Sequence, residues 1–237
     1  MANQLRLFKI SVDARIEKGD AKDEAILKEL QKLIKESKKI RFEGNGYGDE
    51  WVKEAAKRGL SNMKDTPRAL QIWSEKRFVK LFNDMNVLSP RELEARQEIE
   101  FENYVYKIQI EARVMGEMVQ NFIIPAAVNY QNKLIENVKG LIEVLGEKEG
   151  KEAAASQINL ISRISNHITK MTELSEKMRL SRKQANTIEH MEDKAIAYCD
   201  TVKVYFDQIR YNADKLEQLI DDEEWRLPKF REMLFTR

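Results

Sequence analysis

The densest run of side chains able to do chemistry lies between Ile40 and Trp51, IRFEGNGYGDEW. Arg41 and Glu43 carry opposite charges, Asn45 and Tyr47 donate and accept hydrogen bonds, and Asp49 and Glu50 add two carboxylates. Gly44, Gly46 and Gly48 alternate with them and let another backbone or a ligand come close. The run has neither the Gly-Lys-Ser/Thr ending of a phosphate loop nor the strand-borne spacing of a dinucleotide site. It reads first as a structured loop and second as a loop touching a ligand, with Arg41, Glu43, Asn45 and Tyr47 as substrate-proximal candidates.

No other constellation assembles a catalytic centre. A carboxylate-bridged di-metal bundle needs Glu-x-x-His pairs facing inward, yet Ile164 stands three residues before His167 and Thr187 three before His190. The two histidines read as ordinary helix residues. Cys199 is the only cysteine, which excludes an internal disulfide and fits a reducing compartment. It makes no evident set of nucleophile, base and orienter with the histidines. Neither a catalytic nor a metal-ligating residue is assigned.

The elements that must position the loop are helices. Charged residues are 34% of the 237, with only four prolines and nine glycines, a balance that favours solvated helices over strands and turns. Leu5, Phe8, Val12 and Ile16 recur at helical spacing; Asp20 then caps a second helix with Ala25, Ile26, Leu30, Leu33 and Ile34 as its apolar stripe. Beyond the loop, Asp49 caps a helix that stops at Gly59, Thr66-Pro67 opens another, and Phe78 to Met85 form a further amphipathic segment. Ser89, Pro90 and Glu92 make a capping box with proline at the first helical position. The long helix that follows carries Ile108, Ala112, Met115, Val119 and Phe122, is disturbed at Pro125, and resumes through Leu134, Val138, Leu141 and Leu145. After the turn Gly146 to Gly150 a second long helix runs to about Leu180, and a third from Ser181 carries Val202, Phe206, Ile209, Ala213, Leu216 and Ile220.

The expected fold class is therefore all-α: short helices, then an antiparallel bundle of three long helices, the first kinked at Pro125. Three segments are expected, with residues 1–88 carrying the glycine loop 40–48, residues 89–222 the bundle, and residues 223–237 an apolar docking tail. In that tail Trp225, Phe230 and Phe235 are interface candidates, docking on the chain itself or on a neighbouring subunit.

Charge excludes some partners. The 41 Lys and Arg nearly cancel the 40 Asp and Glu, so no field exists to hold a polyanion, and nucleic acid is not an expected partner. The most apolar stretch, Phe122 to Val128, is far shorter than the roughly 20 residues of a membrane span, and no secretory signal follows Met1. A cytoplasmic location is expected.

The stretch IRFEGNGYGDEWVKEAAKRGL, Ile40 to Leu60, resembles the distal part of type III glutamine synthetases, the large bacterial form of that enzyme. Agreement continues at Thr66 to Leu70 (TPRAL), Ile123 to Ala126 (IIPA), Asn129 to Lys133 (NYQNK) and Trp225 to Phe235 (WRLPKFREMLF), so that the resemblance covers nearly the whole chain. The family condenses glutamate with ammonia through a γ-glutamyl phosphate, using ATP and Mg²⁺ or Mn²⁺, and assembles as double-ring dodecamers. The resemblance implies that the strands carrying the metal-binding carboxylates and the substrate-binding arginines are not in this chain, so those residues cannot be carried over. Residues 1–88 then correspond to the helical tail of the catalytic domain, and Met1 is expected to be a truncation start.

The expected function is thus the C-terminal helical portion of such a synthetase, with a packing or subunit-assembly role and no activity alone. Its expected partners are the missing N-terminal catalytic portion and other synthetase subunits, in a homo-oligomer. The alternative is an independent helical scaffold that binds other proteins. Surfaces that normally pack on the absent domain should promote association, with Trp51, Trp73 and the apolar tail contributing.

Overall fold

The computed structural model describes residues 2–229 and 231–235, and among them there are helices, turns and loops but no strand. Contacts cluster into two compact units, Met1–Met63 and Lys64–Arg237. Each is described by itself.

The first unit is a helical hairpin followed by a loop and a short helix. Helix α1 (Ala2–Glu17) turns at Gly19, whose φ of +102° lies where side-chain-bearing residues are strained, and returns as α2 (Lys22–Glu36). Val12 (7% exposed) and Ala25 (fully buried) mark the crossing. Asp20 does not cap α2. The N-cap position is Ala21, with no side-chain cap, while the Asp20 carboxylate pairs with Lys28 (3.1 Å) and Arg15 (3.7 Å) and so ties the two helices across the turn. Arg15 also reaches Glu29, buried at the same junction. Of the expected α2 stripe only Ala25 is buried; Leu30, Leu33 and Ile34 are 40–50% exposed, because within this unit α2 packs chiefly on α1. A 3-10 turn (Ser37–Ile40) and the glycine loop lead to α3 (Asp49–Lys57), whose N-cap is Gly48, with Asp49 as its first residue. Gly59 (φ +70°) ends α3 as expected.

The second unit contains the bundle. Helix α4 (Thr66–Gln71) is capped by Asp65, whose carboxylate accepts from the Arg68 N–H at 3.0 Å, and α5 (Lys76–Asp84) follows. Both pack on the start of α6 (Pro90–Met118). The expected capping box opens α6: the Ser89 N–H donates to Glu92 Oε2 at 2.8 Å, and the Glu92 N–H donates back to Ser89 Oγ at 3.3 Å.

Helix α6 does not end at the proline. A π-helical segment (Val119–Ile123) joins it to α7 (Ile124–Leu145), and Ile123 and Ile124 keep helical dihedrals. Pro125 has no N–H for the Asn121 carbonyl, and its ring would strike that carbonyl in a regular turn. A wider turn just ahead carries the carbonyl off the ring and yields the kink. It also shifts the register, so that Ile123 is buried (5% exposed) while Phe122, expected on the core stripe, is 38% exposed.

After α8 (Glu147–Ala153) the chain returns as α9 (Ala155–Asn186), which runs past Ser181 without a break. Its pairing with α6 and α7 is antiparallel: Gln109 meets Asn186, and further along Gln131 meets Ser165 and the Ile161 carbonyl. The third return is antiparallel to α9, with Tyr198 bonded to Asn186 and Asn212 beside His167. It is not one helix. Helix α10 (Met191–Ala197), a π segment (Tyr198–Val202), a 3-10 turn (Lys203–Tyr205) and α11 (Phe206–Leu219) share its length. Ile164, Met171, Tyr198, Val202 and Leu216, all fully buried, form the heart of the core.

Candidate functional site

The glycine loop is held from below by one arginine and one aromatic pair. Arg58, at the end of α3, donates through Nη1 to the carbonyls of Arg41 (2.6 Å), Lys38 (3.1 Å) and Lys39 (3.4 Å), and so closes the entrance of the loop. Its Nε donates to Glu54 Oε1 at 2.7 Å, and that bond holds the Glu54 carboxyl below its ordinary range. The guanidinium lies 5.5 Å from the centre of the Trp51 ring, within cation–π range. On Trp51 stacks Phe42, with ring centroids 4.7 Å apart, so Phe42 turns inward between its two polar neighbours.

The four sequence candidates are carried on this base. Arg41 donates to the Ile34 carbonyl at 2.7 Å, joining the loop to the end of α2. Asn45 shapes the turn, its Oδ1 accepting from the Tyr47 N–H (3.0 Å) and its carbonyl from the Gly48 N–H (3.0 Å). Glu43 and Tyr47 are exposed, Tyr47 fully so, and among the described residues their side chains have no hydrogen-bond partner. Two of the four therefore build the loop, and two present a carboxylate and a phenol to whatever lies beyond it.

Sequence reasoning passed over Arg58 and Trp51 as the residues that position the loop. A signal was available: seven residues, two helical turns, separate them, which puts both on one face of α3.

The other groups are engaged elsewhere. His167 Nδ1 lies 2.9 Å from Asn212 Oδ1, and His190 Nδ1 lies 3.1 Å from Asp193. Among the described residues no group of three or more His, Cys, Asp or Glu is placed to hold a metal ion. Cys199 is a half-buried free thiol beside Tyr104; burial first, then that thiol, pushes the Tyr104 phenol up.

In the tail, Trp225 is 8% exposed and belongs to the core cluster of its own unit, so its ring is covered by this chain. Lys229 fastens the tail, donating to the Ile220 carbonyl at 3.0 Å and pairing with Asp222. Phe230 lies outside the described residues. Phe235 closes a 3-10 turn, Glu232–Phe235, and its side chain is likewise outside the description.

Comparison with known proteins places the chain that carries this loop in a family. Residues 25–141 match the glutamine synthetase C-terminal domain. A glutamine synthetase of Bacteroides fragilis (strain YCH46) is 44% identical over 237 residues, covering 100% of this chain and 32% of that protein. A type-3 glutamine synthetase of Dictyostelium discoideum is 29% identical over 237 residues, again 100% of this chain and 32% of that protein. A glutamine synthetase of Butyrivibrio fibrisolvens is 30% identical over 218 residues, covering 92% of this chain and 31% of that protein. The chain thus spans about a third of the length of the curated relatives it matches. With agreement running along the whole chain and the family's own distal domain matched across the glycine loop, the chain belongs to the glutamine synthetase family by that C-terminal domain.

Proposed function

We propose that this chain is the helical C-terminal portion of a type-3 glutamine synthetase, contributing packing, subunit assembly and one loop to an enzyme that ligates ammonia to glutamate with ATP. The observation that carries this reading is the agreement along all 237 residues with a protein about three times as long. A loop whose carbonyls are tied down, while the Glu43 and Tyr47 side chains have no hydrogen-bond partner among the described residues, suits contact with a site built by another part of the enzyme. Arg41, Glu43, Asn45 and Tyr47 are the substrate-proximal residues of that reading.

The divalent cation and ATP of such an enzyme do not fit the residues described. They offer no convergent carboxylates, and both histidines have side-chain neighbours of their own. The groups that hold metal and nucleotide are accordingly assigned to the part of the synthetase that this chain does not span. Its partners are that part and further synthetase subunits, in the cytoplasm.

The test is to produce the chain together with the preceding two thirds of a type-3 glutamine synthetase and to measure ATP-dependent glutamine formation. Activity is expected from the mixture and from neither piece alone. Arg58→Ala, with helix content checked by circular dichroism, should lower that activity on the order of 10- to 100-fold by misplacing the loop. Full activity of the chain by itself, or none from a mixture that associates stably, would sink the proposal.

A further inference from the structure

The cleft between α6 and α9 carries a second functional reading, built from residues with no part in the proposed role of the glycine loop. It has a volume of about 420 Å³, in the range of small-ligand pockets, and lies where the chain passes from α6 into the π segment. Three arginines line it: Arg113 from α6, and Arg179 and Arg182 from α9. Arg179 is neutralised by a two-pronged pair with Glu176, one of its bonds 2.7 Å long. Among the described residues Arg113 and Arg182 form no ion pair. They also stand opposite each other: Gln109 bonds Asn186 across the antiparallel pair, and one helical turn further along lie Arg113 on α6 and Arg182 on α9.

The floor of the cleft supplies neutral donors. Ser175 is 7% exposed and lines the cleft, yet its hydroxyl has no hydrogen-bond partner among the described residues. Thr169 and Thr172, earlier on the same helix, instead satisfy theirs on the carbonyls four residues back. Although Ser175 is buried, its hydroxyl is not sealed from solvent, so it opens to the cleft and can donate to what enters it. Gly116 lies across from it, with Ser175 Oγ 3.7 Å from where a Cβ of that glycine would be, an ordinary contact distance. Gln120 and Asn121, in the π segment, bring amide side chains to the rim, and π segments recur at functional sites. Glu117 is the one carboxylate of the cleft without a cationic partner among the described residues, which leaves two arginines against one acid.

We propose that this cleft binds a small phosphate-bearing anion, either inorganic phosphate or the phosphate group of a monoester, between the forks of Arg113 and Arg182 with Ser175 donating from below. Two guanidinium forks, a hydroxyl and two amides offer more donors than the two oxygens of a carboxylate can use, and they match the three or four oxygens of a phosphate. Bound there, the anion would bridge α6 and α9 beside the kink and so couple its concentration to the stability of the bundle.

The test is calorimetric titration of the full chain at constant ionic strength, with inorganic phosphate in one arm and glycerol 3-phosphate in the other. Saturable one-to-one binding is expected in at least one arm, and the tighter arm identifies the source. Arg113→Gln and Arg182→Gln, each on an accessible side chain, should weaken binding on the order of 10-fold or more. Ser175→Ala should weaken it several-fold, and Glu117→Gln should tighten it. Absence of saturable binding in both arms overturns the proposal, as does binding that both arginine variants leave unchanged. Loss of self-association in Arg182→Gln, without phosphate binding by the unaltered chain, also overturns it and reassigns the arginines to an acidic group of another chain.

Discussion

Ser89 and Glu92 show how far a single reciprocal contact reaches, because the 56-residue run of helix from Pro90 to Leu145 starts on them. The Ser89 N–H, then its hydroxyl, holds the Glu92 carboxyl below its ordinary range, so the folded state binds that proton less readily than the unfolded chain does. The contribution is therefore present above the unfolded pKa and disappears as pH falls through the folded one. Glu92→Ala should lower the melting temperature at pH 7, and the gap to the unaltered chain should close on acidification below pH ~4; a gap that is constant with pH would remove the ionised carboxylate from the account. Gly150 makes a residue-scale case of the opposite kind. Its sequence context reads as a polar turn, but it is a buried residue of α8, and a Cβ there would stand 2.5 Å from Ile142 Cα. Gly150→Ala must push backbone against backbone and should cost about 1–3 kcal/mol, read from urea denaturation. Nothing in the local pattern separates this glycine from the turn glycine Gly146, whose φ is +84°, because the need for Gly150 comes from a helix packed against it.

Helices were the most readable elements, since their signals are local: a capping box at Ser89, a positive-φ stop at Gly59, and apolar spacing along α9. Two features at this scale escaped. The stripe Met115, Val119, Ile123, Ala127 steps by fours, which on a helix of about 3.6 residues per turn would drift off the core face; the π segment takes up the excess. Sequence spacing by threes and fours had instead selected Phe122. The third return of the bundle reads as one helix, but it passes through a π segment and a 3-10 turn between Tyr198 and Tyr205, and no proline or glycine announces them. Tyr198, Val202 and Ile209 are each at most 1% exposed, so packing against α9 sets the local winding. Helix α9 lies at the centre of that packing. Met171→Ala, at a fully buried position of α9, should destabilise the second unit by about 2–5 kcal/mol in chemical denaturation, whereas a loss under 1 kcal/mol would mean that the core there is loose.

At the scale of the whole molecule, the first unit leaves Leu5, Leu7 and Ile10 of α1 and Leu27, Leu30, Leu33 and Ile34 of α2 at least 40% exposed. Apolar area of that kind drives association in a chain that spans a third of its relatives. Light scattering should give a mass above 27.8 kDa that rises with concentration, and Leu30→Lys with Leu33→Lys should lower it; a monomer at every concentration would mean that these faces need no cover. The tryptophans expected to contribute are half-covered instead, Trp51 by Phe42 and Arg58, and Trp73 against Phe78. Among the described residues no helix is long and apolar enough to cross a membrane, in keeping with the hydropathy of the chain. Read alone, the residues were enough for an all-helical class, for the principal helix starts, for the place of the glycine loop and for the family, because capping, helical periodicity and a 21-residue motif are properties of short windows. Packing decided the rest: the exposed face of α2, the burial of Trp225, the winding at Val119–Ile123, the arginine that holds the loop, and the cleft where Arg113 and Arg182 meet. Those outcomes depend on which distant residues cover a given side chain, and no local window contains that information.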